Sequence, residues 1–535
     1  MKYTFCEFKY TQFYYTNVIL YLCILKKRVN RVLIIGSGLG GLLSGFLLSR
    51  EGMQVTILEK QKKTGGCLQS FHRGPYRFDT GMHYVGSLKP GQALFNYWKY
   101  FGLTSRLTFV PMDQNGFDRI TIGRATNPGT FAGFPLAQGF DNFKEQLLPF
   151  FPGSDEALKA YTTILEELTV SHPLYNLNLP GPPSTPPGRS VRASLILDAI
   201  TTGICHKASG ASLSSVLAGN NFLYDGDPAT TSLESLALIN HSFISSAFRI
   251  ADGSQQIADF LANGIRFQGG QVLTGKEVVR IRKPGAAFDI ALADGERFST
   301  DLLISGIHPA RTLNMLEGIK FPRAYDTRIS GLKNTHSTFT IYLGLKPDTF
   351  PFVNSNRYHH AFQNIWTGTT CAQHTWPCNF VFMTPPVKDQ GIYAHTAVVM
   401  TPINFEEFRR WEESRSGARD KSYFVFKARK AKQLLEMVYG EIPGLKEAVT
   451  SLDISTTLTW RDNTGTPEGS RYGIVKDATH PHHGTIFPKT RIPGLLFTGQ
   501  NINLHGALGV TIGAILTCGE ILGLPHVLRR IKDAC

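Results

Sequence analysis

The sequence predicts an α/β fold in which a helix-flanked parallel sheet is interleaved with a second, mixed α+β domain. The first observation is an apolar run, Val32 to Ile35, that leads into a glycine-rich loop and a helical segment. The second is a further series of short strands between residues 271 and 305, and the third is an apolar strand and helix after Gly494. A chain of 535 residues also exceeds one ordinary domain and predicts two or three interleaved ones.

The segment Arg31 to Glu59 predicts a dinucleotide site of the Rossmann type. Its loop has the pattern GxGxxG and consists of Gly36, Ser37, Gly38, Leu39, Gly40 and Gly41. The first glycine of the pattern permits a tight turn, the second lets the backbone approach a pyrophosphate, and the third lets the next helix pack on the sheet. The helix Leu42 to Glu51 presents free N–H groups to phosphates, and Glu59, after the strand Gln54 to Leu58, suits a ribose hydroxyl. A glycine turn without ligand is the alternative, which the complete order of elements disfavours.

The residues after Glu59 indicate which dinucleotide binds. Lys60 is followed by the pair Gly65 and Gly66, and then by the segment DTGMHYVG, residues 79 to 86. These features resemble the amine oxidase and phytoene desaturase type of FAD enzyme, and DTGMHYVG is similar to the DTGxHYxG of all-trans-retinol 13,14-reductases. The resemblance implies a Rossmann-type FAD-binding domain, of the glutathione reductase and amine oxidase kind, interleaved with a mixed α+β substrate domain. It implies that Lys60, Gly65 and Gly66 bind FAD together with the GxGxxG loop.

The resemblance extends from about Val29 to Leu522 and implies further FAD contacts. Residues 276 to 281 match a V-x-x-I pattern whose valine, here Val278, holds the adenine end of the cofactor in relatives. From residue pattern alone, residues 271 to 281 are expected to form one strand. The closing strand, turn and helix implicate Gly499, Gln500, Asn501, Gly509 and Val510, because a helix N-terminus stabilises charge on a reduced flavin. In this turn the chain carries the amides of Gln500 and Asn501, where many relatives have an acidic residue.

Candidate catalytic residues are His83, Tyr84, Tyr472 and His505. The resemblance implies that the segments containing them border the flavin or the substrate. Saturation of a conjugated double bond needs a hydride, which a flavin exchanges, and a proton, which histidine or tyrosine can supply. The alternative is that these side chains are structural. The sequence indicates no nucleophile-base arrangement and no metal site.

The predicted domain boundaries follow these motifs. Residues 1–28 are predicted to be an extension, either disordered or upstream of the true start, with a membrane-surface anchor as the alternative. The FAD-binding domain is predicted to comprise residues 29–88, 246–312 and 461–535, the last with a long helix from about Gly506. Residues 89–245 and 313–460 are predicted to form the helical insertion and the rest of the substrate domain.

Composition limits the partners and the compartment. The formal net charge of +14 favours a nucleic acid or an anionic membrane surface, and no nucleic-acid motif accompanies it, so the prediction is a peripheral membrane surface. The apolar run Phe13 to Leu25 is too short to span a bilayer, which takes about 20 residues. Eight cysteines without a CxxC pair predict a reducing compartment, hence a cytoplasmic protein peripheral to the membrane.

The predicted function is that of an FAD-dependent oxidoreductase acting on the C=C or CH–CH bonds of an apolar polyene, a retinoid or a carotenoid. A retinol 13,14-reductase is the activity that the resemblance implies. The alternatives are a carotenoid desaturase or isomerase, an amine oxidase, and a non-catalytic flavin-binding carrier. NAD(P)H is one candidate electron donor, although no second GxGxxG follows a strand in the sequence. The sequence leaves the oligomeric state open.

Overall fold

The computed structural model describes residues 31–123, 133–180, 189–319, 321–368, 371 and 374–535. The predicted N-terminal extension, residues 1–28, therefore lies outside the described residues. The strands are β1 (Arg31–Ile35), β2 (Gln54–Glu59), β3 (Ser70–Arg73), β4 (Tyr76–Asp79), β5 (Val85–Gly86), β6 (Phe109–Pro111), β7 (Asp118–Ile122), β8 (Phe134–Leu136), β9 (Ala247–Ile250), β10 (Gln271–Thr274), β11 (Val278–Arg282), β12 (Phe288–Leu292), β13 (Arg297–Thr300), β14 (Leu302–Ser305), β15 (Ser337–Leu345), β16 (Asn356–His360), β17 (Asn379–Met383), β18 (Thr396–Ile403), β19 (Val449–Ser455) and β20 (Leu495–Phe497).

The α-helices are α1 (Leu39–Arg50), α2 (Ala93–Phe101), α3 (Phe140–Leu147), α4 (Asp155–Val170), α5 (Ala193–Ile200), α6 (Leu213–Leu217), α7 (Leu233–Ser245), α8 (Gln255–Phe267), α9 (Pro309–Met315), α10 (Arg323–Ser330), α11 (Lys421–Glu441), α12 (Leu445–Ala448), α13 (Thr457–Thr464), α14 (Gly506–Leu522) and α15 (Leu524–Lys532). Short 3₁₀ turns lie at Gly66–Leu68, Pro173–Asn176, Asn221–Tyr224, Ile365–Gly368, Phe405–Trp411 and Pro467–Gly469. Among the residues that the model describes, no helix is both long enough and apolar enough to cross a bilayer.

A five-stranded parallel sheet has the strand order β10-β2-β1-β14-β20. Its centre is apolar on both faces: Ile34 of β1 lies between Ile57 of β2 and Ile304 of β14 and is fully buried. Such continuous apolar strands are typical of parallel sheets that are covered on both sides. Helix α1 contacts β2 and lies against α8 and α14. The predicted Rossmann-type α/β fold is confirmed, and the carboxyl ends of β1 and β2 meet at one edge of this sheet.

The stretch 271–281 is not one strand, as the residue pattern predicted. Strand β10 pairs with β2 in the parallel sheet, whereas β11 pairs with β12 in an antiparallel sheet of three strands. The break lies at Gly275, which has a φ of 71° and donates its N–H to the carbonyl of Gln61 at 2.9 Å. A positive φ suits glycine and ends the extended conformation, so the chain leaves the first sheet here.

A seven-stranded mixed sheet, in the order β19-β15-β18-β17-β16-β7-β8, forms the second part of the molecule. One face contributes to an apolar core with α4 and α7, and the other to a core with α11. A small sheet, β5-β9-β6, connects the segment after the second glycine turn to this region. A disulfide that the sequence did not predict joins Cys371 to Cys378.

Candidate active site

A cavity of about 800 Å³ lies at the carboxyl edge of the parallel sheet and extends toward the seven-stranded sheet. Of the predicted site residues, all except Ser37 and Gly41 line this cavity. The structure thus brings together residues from the loops after β1 and β2, from the segment before β5, and from the start of α14. The position agrees with the general rule that open α/β sheets bind ligands beyond the carboxyl ends of their strands.

The three glycines of the GxGxxG pattern occupy different surroundings. Gly36 has a φ of 93° and donates its N–H to the carbonyl of Leu58 at 2.9 Å, so it forms the turn. A Cβ at Gly41 would lie 2.1 Å from the carbonyl oxygen of Gly36, so only glycine allows α1 to pack this closely. A Cβ at Gly38 would meet no atom within 4 Å, since this position faces open cavity. Gly38 therefore leaves space for a ligand, while Gly41 leaves space for the protein itself.

Glu59 is held by three hydrogen bonds. The backbone N–H and the hydroxyl of Ser37 donate to its Oε2 at 2.9 and 2.7 Å, and the N–H of Gln61 donates to its Oε1 at 2.8 Å. A carboxylate offers about four lone-pair sites. One acceptor site therefore remains for a ribose hydroxyl, and Ser37 orients the carboxylate from behind the cavity wall.

The second glycine turn touches the first. Gly65 has a φ of 118° and donates its N–H to the carbonyl of Ser37 at 3.0 Å. A Cβ at Gly66 would lie 3.3 Å from the Cα of Gly38, so a side chain there would press on the GxGxxG loop. Beside this turn, Lys60 donates to the carbonyl of Asp462 at 2.9 Å, and burial, followed by the charge of Arg311, lowers its pKa.

The remaining predicted dinucleotide contacts lie on the other strand ends. Val278 begins β11, is buried and lines the cavity. Gly499, with a φ of 97°, approaches α1 so closely that a Cβ at Gly40 would lie 2.7 Å from its Cα. The side-chain oxygen of Asn501 accepts the N–H of Ile474 at 2.9 Å, so protein already occupies part of this amide. Gln500 also lines the cavity.

Helix α14 begins at the cavity. Residues 506–510, which include Gly509 and Val510, line it, so the first turn of the helix faces the space. A Cβ at Gly509 would lie 2.4 Å from the carbonyl oxygen of Leu504, which explains the glycine at this point of the helix. Free N–H groups and the positive end of the helix dipole face the cavity here.

The predicted catalytic histidines are neutral at pH 7. Both ring nitrogens of His83 are buried without a hydrogen-bond partner among the described residues, and burial, together with the charge of Arg249, lowers its pKa to about 4. His505 donates from Nε2 to the carbonyl of Leu223 at 2.7 Å, and burial lowers its pKa to about 4. Its ring stacks on Tyr472 with 3.9 Å between centroids. These imidazoles can accept or donate hydrogen bonds, but they do not store an acidic proton at neutral pH.

Tyr84 belongs to a buried polar network that the sequence analysis did not include. Its hydroxyl lies 2.6 Å from the hydroxyl of Tyr358 and donates to Oδ2 of Asp118 at 3.1 Å. Asn356 donates to the other oxygen of Asp118 at 2.8 Å and accepts from the guanidinium of Arg249 at 2.9 Å. Tyr84 and Tyr358 line the cavity. The only signals in the sequence are charged residues within short apolar strands, at Asp118 in β7 and Arg249 in β9.

A second ion cluster borders the cavity at Arg471. Its guanidinium lies 3.6 Å from the centroid of the Phe222 ring and 4.6 Å from that of Tyr472, and it donates to Asp225 at 3.1 Å. Burial alone would raise the pKa of Asp225, but hydrogen bonds and charge from His336 and Arg471 lower it to about 2. Asp225 is therefore ionised and fixes Arg471 against the aromatic rings.

The end of the cavity away from the glycine loops is mainly apolar. Its side chains come from α2, α7, the seven-stranded sheet and the loops around them. They are Leu94, Leu223, Leu238, Ile239, Phe243, Val381, Met383, Met400 and Leu504. Among the described residues that line the cavity, the acidic ones are Glu59 and Glu277, both on the dinucleotide side.

Comparisons with known proteins concern the family of the dinucleotide-binding segment and the relatives of the chain. A family model described as an NAD(P)-binding Rossmann-like domain matches residues 34–101. The chain is 26% identical over 525 residues to the all-trans-retinol 13,14-reductase of Rattus norvegicus, covering 91% of this chain and 85% of that protein. It is 22% identical over 514 residues to a chloroplastic prolycopene isomerase of Arabidopsis thaliana, covering 91% and 82%. The resemblance that the motifs indicated is confirmed.

A solved structure supports the fold. A putrescine oxidase bound to putrescine aligns with a TM-score of 0.60 at 12% identity, covering 94% of this chain and 98% of that chain. At this identity the likeness concerns the architecture alone. The residues that line the apolar end of the cavity, and not this likeness, determine which ligand suits it.

Proposed function

We propose that this chain, a relative of the all-trans-retinol 13,14-reductases and the prolycopene isomerases, is an FAD-dependent oxidoreductase that acts on C=C or CH–CH bonds of a retinoid or carotenoid. The observation that carries the proposal is one continuous cavity that joins the dinucleotide loops to an apolar wall. Ligand sites of this kind are mostly apolar, with a few placed polar groups that fix orientation. Reduction, as in a retinol 13,14-reductase, is the preferred direction, because the identity to a reductase is higher than that to an isomerase.

The residues present suit FAD. The open space at Gly38 would admit the pyrophosphate, the remaining acceptor site of Glu59 would take a ribose hydroxyl, and Val278 lies where an adenine could contact the backbone. The start of α14 would face the pyrimidine edge of the flavin, with Gln500 and Asn501 beside it. When bound, FAD supplies hydride exchange at carbon, for which the protein mainly provides alignment and exclusion of water.

The chain's own polar groups suit the second part of the reaction. Reduction of a double bond needs a proton for the carbon that does not receive the hydride. Tyr84, Tyr358 and His83 are the polar side chains that meet the apolar part of the cavity near the segment before β5. A desaturase would use the same groups in reverse, and an isomerase would use them without net redox change, so both remain as second candidates.

An amine substrate fits this cavity less well. Carboxylates pair with the charged ends of a diamine, and the acidic residues among the described cavity lining, Glu59 and Glu277, lie only on the dinucleotide side. We further propose that the protein takes its apolar substrate from a membrane surface, which the net charge of +14 favours. NAD(P)H is the first electron donor to test.

An anaerobic absorbance titration of the purified holoprotein tests the proposal. Bleaching of the flavin band by NADPH, followed by its recovery on addition of all-trans-retinol or a carotenoid, is the expected result. If NADPH fails, dithionite replaces it and the recovery step is unchanged. Bleaching by the polyene itself would instead establish a desaturase. A protein without bound flavin after purification and reconstitution would contradict the proposal.

A further inference from the structure

We propose that Asp118, Tyr84 and Tyr358 form a buried proton relay, with Asp118 as the proton store and the tyrosine hydroxyls as the path to the substrate. This inference rests on the proposed function, because it assigns the source of the proton that reduction of a double bond consumes. In this relay the tyrosines pass on a proton that Asp118 supplies. The Asp118 carboxyl group lies behind the cavity wall, and both tyrosines line the cavity.

The fold brings the three residues together from distant parts of the chain. Strands β7 and β16 are parallel neighbours in the seven-stranded sheet, with Asp118 paired to Asn356 and Ile120 to Tyr358. Tyr84 lies directly before β5, whose partner β9 carries Arg249. The resulting path has two short steps, 2.6 Å between the tyrosine hydroxyls and 3.1 Å from Tyr84 to Oδ2 of Asp118. The 2.6 Å step lies within the usual range of O–H···O hydrogen bonds, about 2.5–3.0 Å, whereas the 3.1 Å step lies just beyond it and has to shorten when the proton moves.

The network has two consistent hydrogen-bond directions. With an ionised Asp118, Tyr358 donates to Tyr84, and Tyr84 donates to the carboxylate. With a neutral Asp118, the carboxyl O–H donates to Tyr84, Tyr84 donates to Tyr358, and the O–H of Tyr358 is left for a group in the cavity. A tyrosine hydroxyl is both donor and acceptor, so the same heavy-atom positions serve both states.

Conversion of the second arrangement into the first delivers one proton. The O–H bond of Tyr358 breaks as a C–H bond forms at the substrate carbon that holds the electron pair left by hydride addition to its neighbour. The proton of Tyr84 moves to the oxygen of Tyr358, and the carboxyl proton of Asp118 moves to the oxygen of Tyr84. Asp118 ends as a carboxylate and regains its proton from water after product release, while the hydride comes from the reduced flavin of the proposed function.

The surroundings allow both charge states of Asp118. Burial raises its pKa to about 7, against the opposing effects of hydrogen bonds from Asn356 and Tyr84 and the charge of Arg249. Arg249 is fully buried and donates to the carbonyls of Thr384 and Ser355 and to the side chain of Asn356. The Asn356 amide therefore links Arg249 to Asp118 by hydrogen bonds, and the positive charge of Arg249 stabilises the Asp118 carboxylate once it forms.

The other titratable groups near the path do not compete as proton stores. His83, beside Arg249, is neutral at pH 7. Burial, with the charge of Asp118, raises the pKa of Tyr358, and burial likewise raises that of Tyr472 nearby, while Arg471 stays charged in its pair with Asp225. Among the described residues, Asp118 is thus the carboxyl group behind this part of the cavity wall that can change its charge near neutral pH.

Infrared spectroscopy of the holoprotein without substrate tests the proton store directly. At pH 6 we expect the C=O band of a neutral carboxylic acid that is present in the wild type and lost in Asp118→Asn. The band should disappear as the pH rises through about 7. If the wild type and Asp118→Asn give the same carboxylic-acid bands at pH 6, the proposal is overturned, whatever the enzyme reduces.

Kinetics test the path. The holoprotein is reduced with dithionite and mixed anaerobically with the polyene that reoxidises the wild type. We expect Asp118→Asn, Tyr84→Phe and Tyr358→Phe each to slow reoxidation by about 100-fold or more, the usual size of a general-acid contribution, while flavin occupancy is retained. Tyr423→Phe removes another buried tyrosine hydroxyl, which is bonded to Thr456 in the core beside α11, and should leave the rate unchanged.

The pH dependence separates this inference from the proposed function. The wild-type rate should fall as the pH rises through about 7, since only neutral Asp118 donates, and Asp118→Asn should lose this dependence. A wild type that no polyene reoxidises would refute the proposed function itself. A wild type that turns over, with Asp118→Asn and Tyr358→Phe within threefold of it, would refute the relay alone.

Discussion

The contrast between Gly38 and Gly41 gives the sharpest test of the dinucleotide site. Both belong to the same loop, and alanine at each adds one methyl group. At Gly41 that methyl would lie 2.1 Å from the carbonyl oxygen of Gly36, so backbone must move in the folded protein. At Gly38 it would meet no protein atom within 4 Å and would enter the cavity. Gly41→Ala should therefore lower the stability of the fold, whereas Gly38→Ala should affect only the binding of the ligand.

The magnitudes follow from these surroundings. Overpacking costs about 1–3 kcal/mol, so Gly41→Ala should lower the melting temperature of the apoprotein, whereas Gly38→Ala should lose only a small helix-capping contribution. A methyl group against a pyrophosphate displaces it from the backbone N–H groups. Loss of one charge-assisted hydrogen bond, about 1.5–3 kcal/mol, corresponds to an increase in the Kd for FAD of about 10- to 150-fold.

The assay combines thermal unfolding of the apoprotein with a fluorescence titration by FAD. Gly38→Ala is expected to unfold close to the wild type and to bind FAD at least tenfold more weakly. Gly285→Ala is the control, because Gly285 is an exposed loop glycine outside the cavity lining, its φ is not positive, and its Cβ would meet no atom within 4 Å. Wild-type affinity in Gly38→Ala would refute the placement of the pyrophosphate at this loop.

Three substitutions give four further expected outcomes. Glu59→Gln should raise the Kd for FAD several-fold in the same titration. An amide cannot accept hydrogen bonds from both Ser37 and Gln61 and still accept one from a ribose hydroxyl, as a carboxylate does. An unchanged Kd would exclude Glu59 as the acceptor of a ribose hydroxyl. Asp225→Asn should destabilise the protein by about 3–5 kcal/mol in denaturant unfolding, since it leaves Arg471 buried without its partner, and an unchanged midpoint would contradict this. Because the folded-state pKa of Asp225 is lowered to about 2, its contribution to the free energy of unfolding should be present above pH 4 and lost as the pH falls toward 2. If the wild type and Asp225→Asn differ in this free energy by the same amount at pH 2 and at pH 6, the reasoning is wrong. Ile239→Trp, in the apolar wall, should leave FAD binding intact and slow reoxidation by polyene, and a rate equal to that of the wild type would place the substrate elsewhere.

The parts of the structure that sequence analysis predicted well are encoded locally. Strand, loop, helix and acid follow one another between Arg31 and Glu59, so their order alone indicates how they fold. The helix from Gly506 is likewise encoded locally and is confirmed. The error at residues 271–281 arose because both halves read as strand, and only the position of Gly275 against Gln61 reveals that they enter different sheets.

The polar network around Asp118 could not be predicted in the same way. Its members lie at positions 84, 118, 249, 356 and 358, and strand pairing in two different sheets brings them together. Hydrophobic periodicity indicates which face of a strand is buried, but not which strand becomes its neighbour. His83 and Tyr84 were both candidates from one motif, yet of the two only the Tyr84 side chain has hydrogen-bond partners among the described residues.

The contact between Gly40 and Gly499 has a consequence for biosynthesis. The turn that packs on the GxGxxG loop lies far from that loop in the sequence, and the Thr498 hydroxyl, 3.2 Å from that of Ser44, follows Ser44 by 454 residues. A nascent chain that ends before residue 495 lacks both β20 and α14, and thus one wall of the dinucleotide cavity. The dinucleotide cavity is therefore complete only after β20 and α14 have been synthesised and have packed on the glycine-rich loop.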